Sequence, residues 1–329
     1  MTDNSRSRIL VTGGRGFIGA ALVAALGKAG YAAQAGVRNP AAPREIASDL
    51  DNAAQIGAAV ANTDMVVHAA YGDPGAMERQ CAGLLAAMSA AKTQNLIYFS
   101  SIAIYGAREN FVRENDGAVG TLDAYAAGKT ACERLVRVWA ENAAHPERRA
   151  IILRPGIVYG AGSRYWIERL SQRINAGVWG DFGAAGEGLA ALIHVDDLAS
   201  LVLAAVKGLS GEARKNFSPV ETFNAVGPET PSWNAYFSAL AAELGAPALA
   251  PLDAARLARR APVALAAKVW RRVGLPGFEK QALIPAAGEL ALFSRKATYD
   301  TAAARNTLGF APSISVAQGL RRSGLQAKR

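Results

Sequence analysis

The chain has 329 residues, 51% of them apolar, with a net charge of +9, two cysteines and three histidines. That length supports a substantial core. No apolar run is long enough to span a bilayer, and the polar start Met1–Arg8 lacks a leader's apolar stretch, so a cytoplasmic protein is expected. The cations are scattered without a nucleic-acid module, and Cys81 and Cys132 have neither metal-ligand nor disulfide spacing, which excludes a nucleic-acid partner and a metal centre from the expected functions.

The first predicted strand is Arg8–Thr12 and the first helix Phe17–Ala29, with Thr12-Gly13-Gly14-Arg15-Gly16-Phe17-Ile18-Gly19 between them. Glycines placed between a strand and a helix are the setting of a dinucleotide turn. Gly13 permits the tight turn, Gly16 lets the backbone approach a pyrophosphate, and Gly19 lets helix and strand pack closely. The N–H groups opening the helix, at Phe17 and Ile18, then face the phosphates. A second strand, Ala32–Val37, ends in Arg38-Asn39-Pro40, with no carboxylate before Glu45. Arg15 and Arg38 therefore offer positive charge around the adenosine ribose, which favours NADP over NAD, with NAD as the other cofactor.

A third strand, Glu45–Ser48, leads to Asp49-Leu50, where Asp49 either contacts the adenine or caps the helix Ala53–Ala61. The strand Met65–His68 runs into Ala69 and Ala70. The helix Pro74–Ala91 and the strand Leu96–Ser100 follow, and Ser101 stands at that strand's end. On the next helix, Ala124–Asn142, Tyr125 and Lys129 are four apart and share one face. A phenol with a pKa near 10 is a poor proton carrier at neutral pH, and a neighbouring cation brings it nearer to working range. The strand Ile151–Arg154 ends at Pro155. Beyond it come a β-like run at Ala190–Val195, a helix Asp196–Lys207, a strand Glu221–Asn224 and a helix Ser232–Leu244, then a basic helical segment Pro247–Ser294. Within that segment Arg256–Arg272 reads as an ordinary amphipathic helix in preference to a membrane-surface one.

This alternation predicts an α/β fold, a Rossmann-type doubly wound parallel sheet with a smaller C-terminal α/β lobe. The dinucleotide-binding part is expected over 1–155, with segments returning near 190–226, and the substrate lobe over 156–329, interleaved with it.

Together these motifs resemble the extended short-chain dehydrogenase/reductases, the NAD-dependent epimerase/dehydratase group. The resemblance rests on the glycine turn, Val66-Val67-His68-Ala69-Ala70, Ser100-Ser101 through Tyr105-Gly106, and Tyr125 to Lys129. It continues in Leu153-Arg154-Pro155-Gly156-Ile157-Val158-Tyr159-Gly160, Ile193 to Ala199 and Leu308-Gly309-Phe310-Ala311-Pro312. It implies an enzyme in which Tyr125 gives or takes the proton at the substrate oxygen. Lys129 would hold the nicotinamide ribose and lower the Tyr125 pKa, and Ser101 would orient the reacting oxygen. Ala69, Ala70 and the backbone after Pro155 would pass beside the cofactor. His194 and Asp196 would anchor a helix.

Two departures narrow the chemistry the resemblance implies. Ile102-Ala103 stands where dehydratases of the group have Asp-Glu, which argues against dehydration. Ile157 replaces an Asn that many nucleotide-sugar enzymes use at the diphosphate. The favoured reading is an NADP(H)-dependent reductase or dehydrogenase acting on the carbonyl or alcohol of a small-molecule substrate. A nucleotide-sugar 4-epimerase is the alternative, and a dinucleotide-sensing regulator a remote one. The resemblance also implies a homodimer through Pro74–Ala91 and Ala124–Asn142, with Ala86, Ala87, Ala90, Ala131 and Leu135 serving either that contact or the chain's own core.

Overall fold

The structure, a computed structural model, describes residues 7–252, 262–263, 266–267, 269–270, 277, 283–285 and 287–325. Most of the basic stretch Arg256–Arg272 lies outside those residues.

In chain order the first half runs β1 Arg8–Thr12, α1 Phe17–Lys28, β2 Ala32–Val37, β3 Glu45–Ala47, α2 Ala53–Val60 and β4 Met65–His68. It continues with α3 Met77–Ala91, β5 Asn95–Phe99, β6 Asn110–Val112, α4 Ala124–Ala140 and β7 Arg149–Pro155. Then come β8 Ile157–Tyr159, α5 Arg169–Asn175, β9 Leu192–His194, α6 Val195–Gly208, β10 Val220–Ala225 and α7 Trp233–Glu243. Seven strands form one sheet in the order β3-β2-β1-β4-β5-β7-β10, with every neighbouring pair parallel. This is the expected doubly wound α/β arrangement.

Strand β1 shows why. Ile9 and Val11 pack with Leu22 and Leu26 of α1 and Leu198 and Val202 of α6. Leu10 between them joins Leu84 and Met88 of α3 and Val136 of α4 on the other face. Helices cover both faces, so alternation gives way to an unbroken apolar run, as parallel sheets require. The order reverses between β1 and β4, and the carboxyl ends of those strands open the crevice where such folds bind ligands. A separate aromatic cluster of Trp179, Phe182, Trp233, Phe237 and Phe293 forms the core beyond β8.

Several features depart from the sequence expectation. The predicted helix Pro74–Ala91 begins with a 3-10 turn, Pro74–Ala76, capped by Asp73, before α3. Short parallel pairs join β6 to Ala297–Tyr299 and β8 to β9, and a π-helical turn spans Arg164–Glu168. Three-residue strands carry too little periodicity to be read from sequence. Among the described residues no helix is long and apolar enough to cross a membrane.

Candidate active site

The glycine turn leaves β1 at the crevice. Gly13 has φ +69°, and a Cβ there would lie 2.8 Å from the Ala70 Cα, so the turn needs glycine both for its conformation and for the approach of the Ala69–Ala70 backbone. A Cβ on Gly19 would collide with the Gly13 carbonyl oxygen, which locks α1 close to the turn. Helix α1 opens at Gly16 without a side-chain cap and with no acidic residue in its first turn. Its leading N–H groups, at Phe17 and Ile18, are thus left for an anion. These residues fit the pyrophosphate of a dinucleotide.

Thr12 and His68, at the ends of β1 and β4, hold this geometry together. The Thr12 hydroxyl accepts the Ala70 N–H at 3.2 Å and lies 2.7 Å from His68 Nδ1. Burial, aided by the Lys129 charge, lowers the His68 pKa to about 3 and keeps the ring neutral.

The two cations expected at the adenosine ribose fare differently. Arg15 is engaged by Glu45, its Nε donating at 2.7 Å and its Nη2 at 2.6 Å. Glu45 also accepts the Ala41 and Ala42 N–H groups, and with the Arg15 bond as the leading cause its pKa falls to about 2. Arg15 is therefore not a free cation. Arg38 is exposed and makes no ion pair among the described residues. Asp49 serves the chain locally: its Oδ1 accepts the Asp51 N–H at 3.1 Å, while Asn52 is the residue that caps α2. Leu50 packs against the core below.

Ser101, Tyr125 and Lys129 meet at the carboxyl end of β5. Asp123 caps α4 by accepting the Ala126 N–H at 2.8 Å, which sets Tyr125 in the first turn and Lys129 one turn on. Ser101 Oγ accepts the Ala103 N–H at 3.1 Å, which leaves its own proton to donate. Burial raises the Tyr125 pKa, and the hydrogen bond from Ser101 is the influence that lowers it. Lys129 acts elsewhere: its Nζ donates to the Phe99 carbonyl at 2.6 Å and lies 5.9 Å from the Tyr125 ring centroid. Burial depresses its pKa to about 8. Lys129 and Ser101 thus approach Tyr125 from two sides of the same site.

A network that sequence reading missed supports the site from below. Arg154, just before Pro155 in β7, donates to both Glu133 oxygens at 2.9 and 2.6 Å and to the Tyr105 hydroxyl at 2.8 Å. Tyr105 in turn donates to Asn224 Oδ1 at 2.7 Å. Glu133 lies one turn beyond Lys129, so this buried pair ties α4 to the sheet. His194 caps α6 by accepting the Asp196 N–H at 3.2 Å, and Asp197 accepts the N–H groups of Ser313 and Ile314 at 3.1 and 2.9 Å. That stretch anchors chain segments.

The NAD dependent epimerase/dehydratase family matches residues 9–218, well over half the chain, and the protein belongs to it. Members of that family are enzymes. A curated relative, the N-acetyl-alpha-D-glucosaminyl-diphospho-ditrans,octacis-undecaprenol 4-epimerase of Escherichia coli O157:H7, is 28% identical over 127 residues. That match spans 39% of this chain and only 38% of the relative's length. Among solved structures, the UDP-glucose 4-epimerase of Thermotoga maritima with UDP-glucose has a TM-score of 0.72 at 19% identity, covering 96% of this chain and 97% of that one. The UDP-glucuronic acid 4-epimerase of Bacillus cereus with NAD gives 0.70 at 20%, covering 96% and 94%. MoeE5 with UDP-glucuronic acid and NAD gives 0.69 at 23%, covering 96% and 97%. These three show the fold.

Proposed function

We propose that the chain is a nucleotide-sugar 4-epimerase using NAD. The observation that carries this is the meeting of Ser101, Tyr125 and Lys129 beside an uncapped, glycine-opened helix start, in a chain of this family. The names of its relatives favour epimerisation over the reductase reading taken from sequence, for which the comparisons offer nothing specific. Gly13, Gly16, Phe17, Ile18 and Gly19 would hold the pyrophosphate, Ala69, Ala70 and Pro155 would flank the cofactor, and Lys129 would hold its ribose. The chemistry such a dinucleotide supplies when bound is reversible hydride transfer. The chain's part is proton handling. Tyr125 removes the proton of the sugar's reacting hydroxyl, Ser101 steadies the oxygen as it becomes a carbonyl, and Tyr125 returns the proton when the opposite stereoisomer forms. The division into a dinucleotide part over 1–155, with segments returning near 190–226, and an interleaved substrate lobe over 156–329 belongs to the same proposal.

The Arg15–Glu45 pair supports NAD, because a 2′-phosphate would have to compete with a carboxylate for Arg15. Calorimetry is expected to show NADH bound at least as tightly as NADPH, with Glu45→Gln moving the preference toward NADPH. Exposed Arg38 favours a second reading, an NADP-dependent reductase. Tighter binding of NADPH by the unmodified protein, reversed by Arg38→Asp, would establish that reading and overturn the first.

We also propose a C2 homodimer through α3 and α4. Ala86 and Ala90 are exposed on α3, Ala87, Ala131 and Leu135 are half-buried, and Val138 on α4 is 66% exposed. Small and apolar residues on a surface helix pair suit close packing with a second copy. Light scattering at micromolar concentration is expected to give twice the chain mass, and the mass of one chain would contradict it.

A further inference from the structure

Tyr71 follows the Ala69–Ala70 turn and lies edge-on to Tyr125, ring centroids 5.2 Å apart at 86°. It is nonetheless 61% exposed. Tyr165, exposed to the same 61%, stands in the π-helical turn Arg164–Glu168 beyond β8, within electrostatic range of Tyr71. Of these two large, water-facing tyrosines, Tyr71 touches Tyr125 from the end of β4, and Tyr165 stands in range of Tyr71 on the segment after Pro155. Scattered exposed aromatics are ordinary, whereas a group bordering a catalytic residue marks a binding surface. π-helical turns of this kind concentrate at functional sites.

The position of Tyr71 is built into the fold. Asp73 accepts the Gly75 N–H at 3.1 Å and caps the 3-10 turn Pro74–Ala76. That turn seats on α4 at Gly128, between Tyr125 and Lys129, where a Cβ would lie 2.5 Å from Met77 Cε and 3.3 Å from the Pro74 carbonyl oxygen. Glycine at 128 therefore lets the loop carrying Tyr71 lie directly on the turn of helix carrying Tyr125.

We infer that Tyr71 and Tyr165 form an aromatic clamp for the glycosyl ring of a nucleoside diphosphate hexose. The inference rests on the nucleotide-sugar reading above and specifies which part of that substrate the clamp takes. A pyranose presents an apolar C–H face bordered by hydroxyls, and a tyrosine presents an apolar ring with a polar tip, so the two match in both respects. Tyr71 touches the residue that must reach the reacting sugar hydroxyl within hydrogen-bond range, which places the hexose, and not the base or diphosphate, against its ring.

The test is calorimetry of the NAD-saturated protein with two probes, UDP-glucose and UDP, on wild type, Tyr71→Ala, Tyr165→Ala and Tyr71→Phe. Each alanine variant is expected to bind UDP-glucose about five- to tenfold more weakly, the scale of one aromatic contact. UDP affinity is expected to stay unchanged in all four proteins, and Tyr71→Phe to bind UDP-glucose as wild type does. Both side chains face water, so melting temperatures should match that of wild type and exclude misfolding as the cause. Equal losses for UDP and UDP-glucose would assign the tyrosines to the nucleotide half and overturn the clamp. Unchanged UDP-glucose binding in both alanine variants would overturn it as well, while leaving the nucleotide-sugar reading intact. A wild type that binds neither probe would overturn that reading and the clamp together.

Discussion

Replacing Tyr125 with Phe is expected to cut turnover by roughly two or more orders of magnitude while leaving the fold and dinucleotide binding in place. The substitution removes one oxygen. The ring keeps its edge contact with Tyr71 and its place on the core beside α3 and α4. What disappears is the group proposed to exchange a proton with the substrate. Lys129→Met should weaken dinucleotide affinity as well as turnover, if the buried ammonium holds the ribose as proposed.

Ser101→Ala gives the sign of the pH dependence. The Ser101 hydrogen bond is what lowers the Tyr125 pKa against burial. Without it the phenol titrates higher, so the rate at neutral pH should fall, and the rising limb of the pH–rate profile should move to higher pH. Near-normal turnover in Tyr125→Phe, with His194→Ala abolishing activity, would move the acid–base role to the stretch that anchors α6.

The second large effect is on stability. Arg154 and Glu133 are paired at 2.6 Å with side chains 6% and 7% exposed. Glu133→Ala would leave a guanidinium buried without a counter-charge, at a cost of about 3–5 kcal/mol. In a chain of this size that lowers the melting temperature by roughly 4–7 °C. The double variant Glu133→Leu with Arg154→Met should recover most of the loss, because it removes both charges. Scanning calorimetry on the three proteins checks this. A single variant that melts with wild type would mean that water already solvates the pair.

The sheet and the proposed catalytic set were legible in the sequence because both are local signals. The run Arg8–Thr12, the glycine turn and the four-residue step from Tyr125 to Lys129 each speak through neighbours in the chain. What stayed hidden depends on strand order. Arg15 and Glu45 meet because β2 pairs β3 with Ala35 opposite Glu45 and because Gly14 donates to Gly36, and neither registration is written near Arg15. The pairing changes the cofactor argument from two free cations to one. Tyr105, Asn224, Arg154 and Glu133 come from four separate segments and meet only once β10 has returned beside β7. Tyr71 was silent for another reason: a single aromatic in a loop has no periodicity, and only its contact with Tyr125 gives it meaning. The Lys129 bond to the Phe99 carbonyl was hidden too, because a backbone acceptor has no sequence signature.

The most direct test of the epimerase reading is proton NMR of the anomeric region while the protein is incubated with UDP-hexoses and a catalytic amount of NAD, with absorbance at the reduced-nicotinamide band followed in parallel. The expected result is a growing signal from the C4 epimer, total sugar conserved and no accumulation of reduced cofactor, with Tyr125→Phe silent in the same tube. Consumption of NADPH in proportion to a keto-sugar reduced, with no epimer formed from any UDP-hexose, would contradict it.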